Sequence, residues 1–341
     1  MLFQSMVIIM NDILISEIRG TLDENDIRGR LCIVDYSGNV KYSIGDITRY
    51  QYYRSSAKPI QALPILYYGI KEKYGFTDKE YAVFCASHSG EDFHTETITS
   101  ALSKVGFTDE DMILPPTYPG HAPTAHRLIA EGKPERKIYY NCSGKHSALL
   151  SFCRYLGCDP KEYWKPESPI QQDIKKFIST VSEYPVDDIV VGADGCGVPV
   201  FAVPLYNIAL SYLNLACPER LKDEKLAECI RRGTSYMNDY PEMISGTGGI
   251  CTILLGDRNI VAKGGAEALY CIGLRDEKLG IAFKIESGAY KYIPYVVISI
   301  LEQLGYKNKA LIEQLKSQFP ADYINPVGVK AYTRVSRFTL E

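Results

Sequence analysis

The sequence lacks Cys-x-x-Cys pairs, low-complexity linkers and any excess of basic residues. Lys and Arg number 38 against 41 Asp and Glu, which gives a formal net charge of −3. A nucleic-acid-binding protein needs a basic surface to neutralise phosphates, and this balance argues against that role. The longest apolar runs fall well short of the roughly 20 residues of a membrane-spanning helix. The missing Cys-x-x-Cys pairs argue against a zinc ribbon or a thioredoxin-type site.

The ten cysteines are spread thinly along the 341 residues and show no compact spacing. A chain of this size buries enough apolar surface to fold without a disulfide framework. We therefore interpret the cysteines as reduced thiols and expect a cytoplasmic protein. No shift in composition marks a boundary, which predicts a single domain over residues 1–341. Residues 1–10 are apolar without a basic segment or a cleavage site, and we interpret them as a first strand or an N-terminal extension.

Alternating strand-like and helix-like segments predict an α/β fold, with a mixed sheet covered by helices and a helical portion in the middle of the chain. Residues 31–35 and 40–44 have the pattern of a β-hairpin. Helical spacing of apolar residues covers 57–74. Short apolar runs at 81–86 and 250–255 predict buried strands.

Ser55 and Lys58 lie three residues apart at the start of a predicted helix, so their side chains share a face. A lysine whose pKa is lowered by burial or by a nearby cation can take the proton of a serine hydroxyl and make it a nucleophile. The same spacing also occurs at an ordinary helix N-terminus, with a capping serine and a solvated lysine. The motif alone leaves both interpretations open.

A second polar turn runs from Ser87 to Glu91, between an apolar run and a predicted helix. It presents a hydroxyl at a helix N-terminus, where backbone N–H groups can hold an anion, but a plain capping turn has the same composition. Glu91 and His94 share a helical face, which is compatible with a structural pair or an acid–base pair. Lys263 lies at the end of a predicted strand and is followed by a Gly-Gly turn. The order of these residues does not match that of a phosphate-binding loop.

Cys142 and Cys196 each lie in a polar, glycine-containing turn, which is an unusual place for a core cysteine. Two such thiols can meet at a reactive site or at a metal site. They can equally be two unrelated buried side chains.

Taken together, these segments resemble the asparaginase II family over nearly the whole chain, from Glu17 to Gly328. Each motif is weak alone, and their order and spacing make the match specific. The motifs are Arg54-Ser55-Ser56-Ala57-Lys58-Pro59, Ala86-Ser87-His88-Ser89-Gly90-Glu91, Asn141-Cys142-Ser143-Gly144-Lys145-His146, Gly192-Ala193-Asp194-Gly195-Cys196-Gly197, Pro241-Glu242-Met243 and Lys263-Gly264-Gly265-Ala266-Glu267.

The resemblance implies an amidohydrolase that converts L-asparagine to aspartate and ammonia. It also implies a homodimer and a fold similar to serine β-lactamases and penicillin-binding proteins. Two Ser–Lys pairs are implied, Ser55 with Lys58 and Ser87 with Lys263. We favour Ser55 as the nucleophile that forms an acyl-enzyme, with Ser87 as the competing candidate.

The resemblance further implies a zinc ion beside the active site, which we expect to position the substrate. Its implied ligands are Cys142, Lys145 and Cys196, with a fourth position for water or substrate. A lysine ligand is unusual, because its amine must lose a proton to bind the metal. The residues expected to hold the α-amino and α-carboxylate groups of the substrate are Arg54, His146 and Asp194.

Four positions depart from the family pattern. Gly249 and Cys251 stand near positions where the family has an arginine and an aspartate, Ser287 replaces an aspartate and Ile27 replaces a histidine. Two other functions stay open. One is a serine acyl-transferase of the β-lactamase or penicillin-binding type, because Ser55-x-x-Lys58 is shared with that class. The other is a non-catalytic relative that binds amino acids or zinc, because of these departures.

Overall fold

The structure is a computed structural model that describes residues 12–340. The predicted N-terminal extension at residues 1–10 lies outside the described residues. The strands are β1 (Ile13–Arg19), β2 (Leu22–Val34), β3 (Val40–Ile44), β4 (Tyr50–Tyr52), β5 (Val190–Ala193), β6 (Pro199–Pro204), β7 (Ile260–Gly265), β8 (Leu269–Leu274), β9 (Leu279–Ile285), β10 (Asp322–Ile324) and β11 (Lys330–Ser336).

Helices occupy most of the chain between β4 and β7. The α-helices are α1 (Lys58–Gln61), α2 (Leu63–Tyr67), α3 (Ile70–Tyr74), α4 (Asp78–Phe84), α5 (Asp92–Lys104), α6 (Ala122–Ala130), α7 (Ser143–Leu156), α8 (Pro169–Ser182), α9 (Leu205–Ala216), α10 (Glu224–Asp239), α11 (Glu242–Ser245), α12 (Ile250–Leu255), α13 (Ile293–Gln303) and α14 (Lys309–Gln318). Short 3-10 turns are Arg54–Ala57, Asp109–Asp111, Lys137–Tyr139, Val186–Asp188, Pro218–Arg220 and Tyr290–Tyr292.

The strands form two sheets. The larger has the order β10-β11-β1-β2-β9-β8-β7, with β3 also paired to β2, and the smaller has the order β4-β6-β5. The long strand β2 pairs with β1 along its first half and with β3 and β9 along its second half. Every strand pairing within residues 12–340 is antiparallel, so the prediction of a mixed sheet is wrong, while the α/β class and the helical middle portion are confirmed.

Helix α9 packs directly on the larger sheet because two glycines leave room for it. Gly273 of β8 and Gly280 of β9 are paired in register. A Cβ at Gly273 would collide with the carbonyl oxygen of Tyr212, and one at Gly280 would collide with that of Ala209. The close approach therefore requires glycine at both positions. It places the Tyr212 hydroxyl where it donates to the carbonyl of Ser56 at 2.8 Å.

The predicted hairpin is confirmed by the pairing of β2 with β3. The single helix predicted over residues 57–74 is instead a series of short pieces, α1, α2 and α3. Pro64 lacks the N–H that a continuous helix would use at that position, and Gly69 adopts a left-handed conformation with φ +68°.

The strands predicted at residues 81–86 and 250–255 are wrong, because both runs lie in helices. Residues 81–84 end α4 and residues 250–255 form α12. A short apolar run that is buried on nearly all sides shows no periodicity, so its sequence does not distinguish a strand from a helix. Thr77 begins α4 with a capping box, in which its hydroxyl accepts from the Glu80 N–H at 3.1 Å.

Within residues 12–340, no helix combines the length and the apolar composition needed to cross a membrane. The similarity to serine β-lactamases and the single-domain organisation stay predictions.

Candidate active site

A cavity of about 360 Å³ lies where the Arg54–Ala57 turn, the turn after α4, the start of α12 and the end of β7 meet. Among the described residues of its lining, Lys263 is the only lysine, and no arginine, histidine, aspartate or glutamate is present. The lining residues are Ser55, Ser87, Asn141, Ser245, Gly249, Ile250, Cys251, Lys263, Gly264, Gly265, Ala266 and Tyr290.

The hydroxyl of Ser87 lies between two lysine amines. Lys58 Nζ is 3.0 Å from Ser87 Oγ, and Lys263 Nζ is 2.9 Å from the same atom. Lys58 Nζ also donates to the carbonyls of Ala86, at 2.6 Å, and Asn141, at 3.4 Å. The fold thus brings a serine and two lysines from three distant segments to one point at the cavity wall.

Both amines are removed from water. Lys58 is 0% exposed and Lys263 is 1% exposed, and neither makes an ion pair within residues 12–340. Burial, together with a smaller effect of the Lys58 cation, lowers the pKa of Lys263 to about 8. Burial also lowers the pKa of Lys58, with a smaller effect in the same direction from Lys145. Neutral amines, which can accept a proton, are therefore accessible at this site near physiological pH.

Ser55 lines the same cavity, but within residues 12–340 no hydrogen bond joins its hydroxyl to the Lys58 amine, and the two residues are linked only by the Lys58 backbone N–H, which donates to the Ser55 carbonyl. Lys58 is the first residue of α1, and its amine reaches across to Ser87 instead. The preceding residue, Arg54, has φ +50°, which is a strained conformation for a residue with a side chain. The pairing implied for Ser55 and Lys58 is thus replaced in the structure by a contact between Lys58 and Ser87.

A second buried group, which we call the thiol cluster, consists of Cys142, Lys145, Asp194 and Cys196. Lys145 Nζ lies 3.0 Å from Cys196 Sγ and 3.6 Å from Asp194 Oδ2. The other oxygen of Asp194 accepts a hydrogen bond from Arg54 Nε at 2.7 Å. The cluster is therefore connected through Arg54 to the turn that carries Ser55.

The pKa values of the two thiols of the cluster are shifted in opposite directions. The neighbouring Cys196 thiol, together with nearby lysine cations, holds the pKa of Cys142 well below its usual range. The neighbouring Cys142 thiol and burial raise the pKa of Cys196. Burial alone would lower the pKa of Lys145, but Cys142, Cys196 and Asp194 together raise it.

The thiol cluster contains the three predicted zinc ligands, so the structure brings Cys142, Lys145 and Cys196 together. Two sulfurs and one amine nitrogen are donors that a zinc ion accepts once they are deprotonated. Among the His, Cys, Asp and Glu side chains of residues 12–340, no group of three or more is placed to hold a metal ion. A zinc site here would therefore depend on Lys145 as the third donor.

The three predicted substrate-binding residues do not line the cavity in the described part of the chain. Arg54 and Asp194 are paired with each other. His146 is fully buried, and its Nδ1 lies 2.6 Å from the hydroxyl of Tyr163. Burial lowers the pKa of His146 well below its usual range, which keeps the ring neutral. Arg54 and Asp194 are thus half-buried and His146 is buried, all outside the described lining.

Glu91 connects the Ser87 turn to the loop that precedes α12. Its carboxylate accepts from the Thr247 hydroxyl at 2.7 Å, from the Thr247 N–H at 3.0 Å and from the Ser89 hydroxyl at 2.6 Å. A Cβ at Gly246, where φ is +80°, would collide with Ser89 Oγ. His94 instead pairs with a backbone carbonyl at 3.0 Å, so Glu91 and His94 do not form an acid–base pair.

Three lining residues, Asn141, Ser245 and Tyr290, are not predicted as site residues by the sequence. Asn141 directly precedes Cys142 in the Asn141–His146 motif, and its polar amide side chain in that motif could have indicated a site residue. Ser245 lies two residues beyond the Pro241-Glu242-Met243 motif. Tyr290 belongs to no motif, so only the fold reveals it.

Two of the four departures from the family pattern lie at the cavity. Gly249 and Cys251 are lining residues, and Cys251 Sγ accepts hydrogen bonds from the Tyr270 hydroxyl at 3.3 Å and the Gly264 N–H at 3.4 Å. Ile27 is a buried residue of β2, and Ser287 lies in the turn after β9.

Comparison with known proteins gives one family. The family model described as L-asparaginase II matches residues 15–331 of the chain. No curated protein matches it. A solved structure described as "Crystal Structure Analysis of Mglu" is 15% identical, covers 84% of this chain and 69% of its own, and has a TM-score of 0.43. A likeness at that level carries no functional argument.

Proposed function

The chain belongs to the L-asparaginase II family, and we propose that it hydrolyses the side-chain amide of L-asparagine to aspartate and ammonia. The family indicates a hydrolase that acts on amides. The observation that carries the proposal is the position of Ser87 Oγ within 3.0 Å of two buried lysine amines at a cavity wall. Amide hydrolysis needs an attack on the carbonyl carbon and a proton for the departing nitrogen. This arrangement supports both proton movements.

Ser55 is the proposed nucleophile, and Ser87 is the proposed proton carrier. Ser87 Oγ is already engaged by Lys58 and Lys263, whereas the Ser55 hydroxyl makes no hydrogen bond to the Lys58 amine and lines the same cavity. As the Ser55 Oγ–carbon bond forms, the Ser55 proton passes through the Ser87 hydroxyl to a neutral lysine amine. The bond between carbon and nitrogen then breaks, and the lysine returns the proton to the nitrogen, which leaves as ammonia.

The acyl-enzyme is resolved by water. A water molecule attacks the ester carbon and transfers its proton along the same Ser87 path. The bond to Ser55 Oγ breaks, Ser55 regains a proton and aspartate is released. The low exposure of Lys58 and Lys263 keeps part of each amine neutral, so the same groups serve both half-reactions.

We further propose that Cys142, Lys145 and Cys196 hold a zinc ion. The low pKa of Cys142 favours the thiolate, which is the form that binds metal. When bound, zinc would supply a fixed positive charge that helps to orient substrate beside the cavity. Metal analysis of the purified protein should give one zinc per chain and none for Cys196→Ser. A zinc-supplemented wild-type protein without bound metal would contradict this part of the proposal.

The first test is ammonia release from L-asparagine and L-glutamine, with and without added zinc. Release from asparagine that is lost in Ser55→Ala and in Ser87→Ala supports the proposal. Ser103→Ala, which changes an exposed serine on α5, is the matched control and should keep the wild-type rate. No release from either amide with zinc present would contradict an amidohydrolase and favour a non-catalytic binding protein.

A trapping experiment identifies the nucleophile. Hydroxylamine competes with water for an acyl-enzyme, so it should yield the aspartyl hydroxamate from asparagine. Acid quenching during turnover, followed by peptide mass spectrometry, should place the acyl group on Ser55. An acyl group on Ser87 would reverse the two roles. Covalent labelling of Ser55 by a fluorescent penicillin, without ammonia release, would favour the acyl-transferase function instead.

A further inference from the structure

A second cavity, of about 340 Å³, lies between α10, the Pro218–Arg220 turn and the segments that follow α12 and β8. It shares no lining residue with the cavity that contains Ser87. We call it the arginine cavity, and its charged and amide or hydroxyl-bearing wall includes Arg231, Arg258, Arg275, Glu219, Ser235 and Asn238.

Arg275 is held in place in this cavity by hydrogen bonds to uncharged acceptors. Its Nη2 donates to Asn238 Oδ1 at 3.1 Å, and its Nη1 donates to the carbonyl of Arg258. Asn238 is itself fixed, because its amide donates to the carbonyls of Leu255 at 2.8 Å and Ile260 at 3.0 Å. Within residues 12–340, Arg275 makes no ion pair. Burial lowers the pKa of this guanidinium, which reflects the loss of water around it.

The other two arginines differ from Arg275. Arg231 pairs with Glu228 one turn away at 3.0 Å, and Arg258 pairs with Asp239. Their side chains are 50% and 71% exposed, so both can swing toward a ligand at little cost. The cavity therefore combines one oriented guanidinium with two mobile ones. A planar guanidinium matches the two oxygens of a carboxylate or phosphate group.

We propose that the arginine cavity binds a small acidic amino acid, with one carboxylate on Arg275 and the second on Arg231. Glu219 selects this class, because its carboxylate at the rim repels a simple dianion but attracts an ammonium group. The volume lies at the lower end of the range for small-molecule sites, which fits a ligand of this size. The proposal concerns binding and does not depend on the asparaginase activity.

Titration calorimetry with L-aspartate tests the proposal. Arg275→Gln and Arg231→Gln should each weaken binding by about tenfold or more, because each removes a charged hydrogen bond. Arg231 is an exposed residue, so its variant should fold normally even if Arg275→Gln is destabilised. Arg127→Gln is the matched control, since it removes a surface arginine that pairs with Asp92 outside the cavity.

The Lys263→Met variant distinguishes aspartate binding at the catalytic cavity from binding at the arginine cavity, because it removes the amine from the catalytic lining. We expect Lys263→Met to retain the site that responds to Arg231→Gln. Succinate, which lacks the ammonium group, should bind more weakly than L-aspartate, and Glu219→Gln should remove that difference. Aspartate binding that is unchanged by both arginine variants, or inorganic phosphate that binds more tightly than aspartate, would overturn the assignment.

Discussion

Two neighbouring regions of this protein bury lysine side chains to the same degree but with opposite results. Lys58 and Lys263, at the Ser87 hydroxyl, are 0% and 1% exposed, and Lys145, in the thiol cluster, is 3% exposed. Burial disfavours the charged amine in all three cases. The pKa values of Lys58 and Lys263 are nevertheless lowered, whereas that of Lys145 is raised.

The difference arises from the neighbours. Asp194 Oδ2 lies 3.6 Å from Lys145 Nζ, and Cys196 Sγ lies 3.0 Å from it. In the described residues no carboxylate pairs with Lys58 or Lys263, whose nearest partners are a hydroxyl and backbone carbonyls. Burial thus sets the cost of a charge, and the anions around it decide whether the charge persists. Without a metal ion, one region is suited to accepting protons and the other to retaining charge, and binding of zinc at the thiol cluster would have to displace the Lys145 proton.

The largest expected effect comes from removing one member of the first region. Lys263→Met keeps a long apolar side chain but deletes the amine that contacts Ser87. We expect kcat for ammonia release to fall by about 10²- to 10⁴-fold, which is the usual contribution of a positioned acid–base group. Initial rates at saturating asparagine measure this, with circular dichroism to confirm folding. The exposed Lys41→Met is the control, and Lys145→Met should reduce kcat less, so equal losses would contradict the division of roles.

Removing the anion of the second region should affect stability. Asp194→Asn leaves Lys145 and Arg54 without their shared carboxylate, and breaking such a buried pair should lower the free energy of unfolding by about 3 kcal/mol. Urea denaturation measures the change. Asp92→Asn, which removes an exposed partner of Arg127, should cost less than about 1 kcal/mol. A similar loss in both variants would show that burial of the pair has no energetic consequence.

The pH dependence sharpens the comparison further. A base must be deprotonated, and the pKa of Lys263 is lowered to about 8. We expect kcat/KM to rise about tenfold per pH unit below that value and to level off above it, since the neutral amine is then fully populated. A profile from pH 6 to 10 measures it. A rate that is constant or falls between pH 6 and 8 would exclude a neutral Lys263 as the active form.

The smallest expected effect concerns the substrate's ammonium group. Asp194 is occupied by Arg54 and Lys145, and no carboxylate is present in the described lining of the catalytic cavity. Succinamate is asparagine without its α-amino group, and its kcat/KM should therefore lie within about tenfold of the value for asparagine. If an acidic group bound the ammonium, loss of that charged hydrogen bond would lower kcat/KM by more than about tenfold. Side-by-side ammonia assays of the two amides measure the ratio. A much larger loss would mean that an acidic group does reach the substrate.

Much of the fold followed from local pattern, and the two mistaken strand predictions share one cause. The hairpin of β2 and β3 has alternating strands around a glycine turn and was predictable. The residues of α4 and α12 are buried on nearly every side, so neither helical nor strand periodicity survives in them. The capping box at Thr77 was the available signal for α4.

The site was predictable in its parts but not in its contacts. Residue type, spacing and the family resemblance together identified Ser55, Lys58, Ser87 and Lys263, which the structure places at or beside one cavity. Spacing along the chain could not show that Lys58 reaches Ser87 rather than Ser55, because a long side chain can follow either direction. It also could not show that Arg54 and Asp194 pair with each other, since that contact spans 140 residues.

The glycine pair under α9 has a consequence for how such a protein can evolve. Gly273 and Gly280 set the depth at which Tyr212 sits, and Tyr212 holds the Ser56 carbonyl next to Ser55. A methyl group at either glycine would push the helix outward and carry the Ser55 turn with it. Mutational libraries restricted to the cavity lining would not change the packing of α9 on the sheet. Substitutions at Gly273 or Gly280, which lie outside the lining, would shift the Ser55 turn and so change the geometry of the active site. The position of the Ser55 turn thus depends on glycine at these two positions of the sheet.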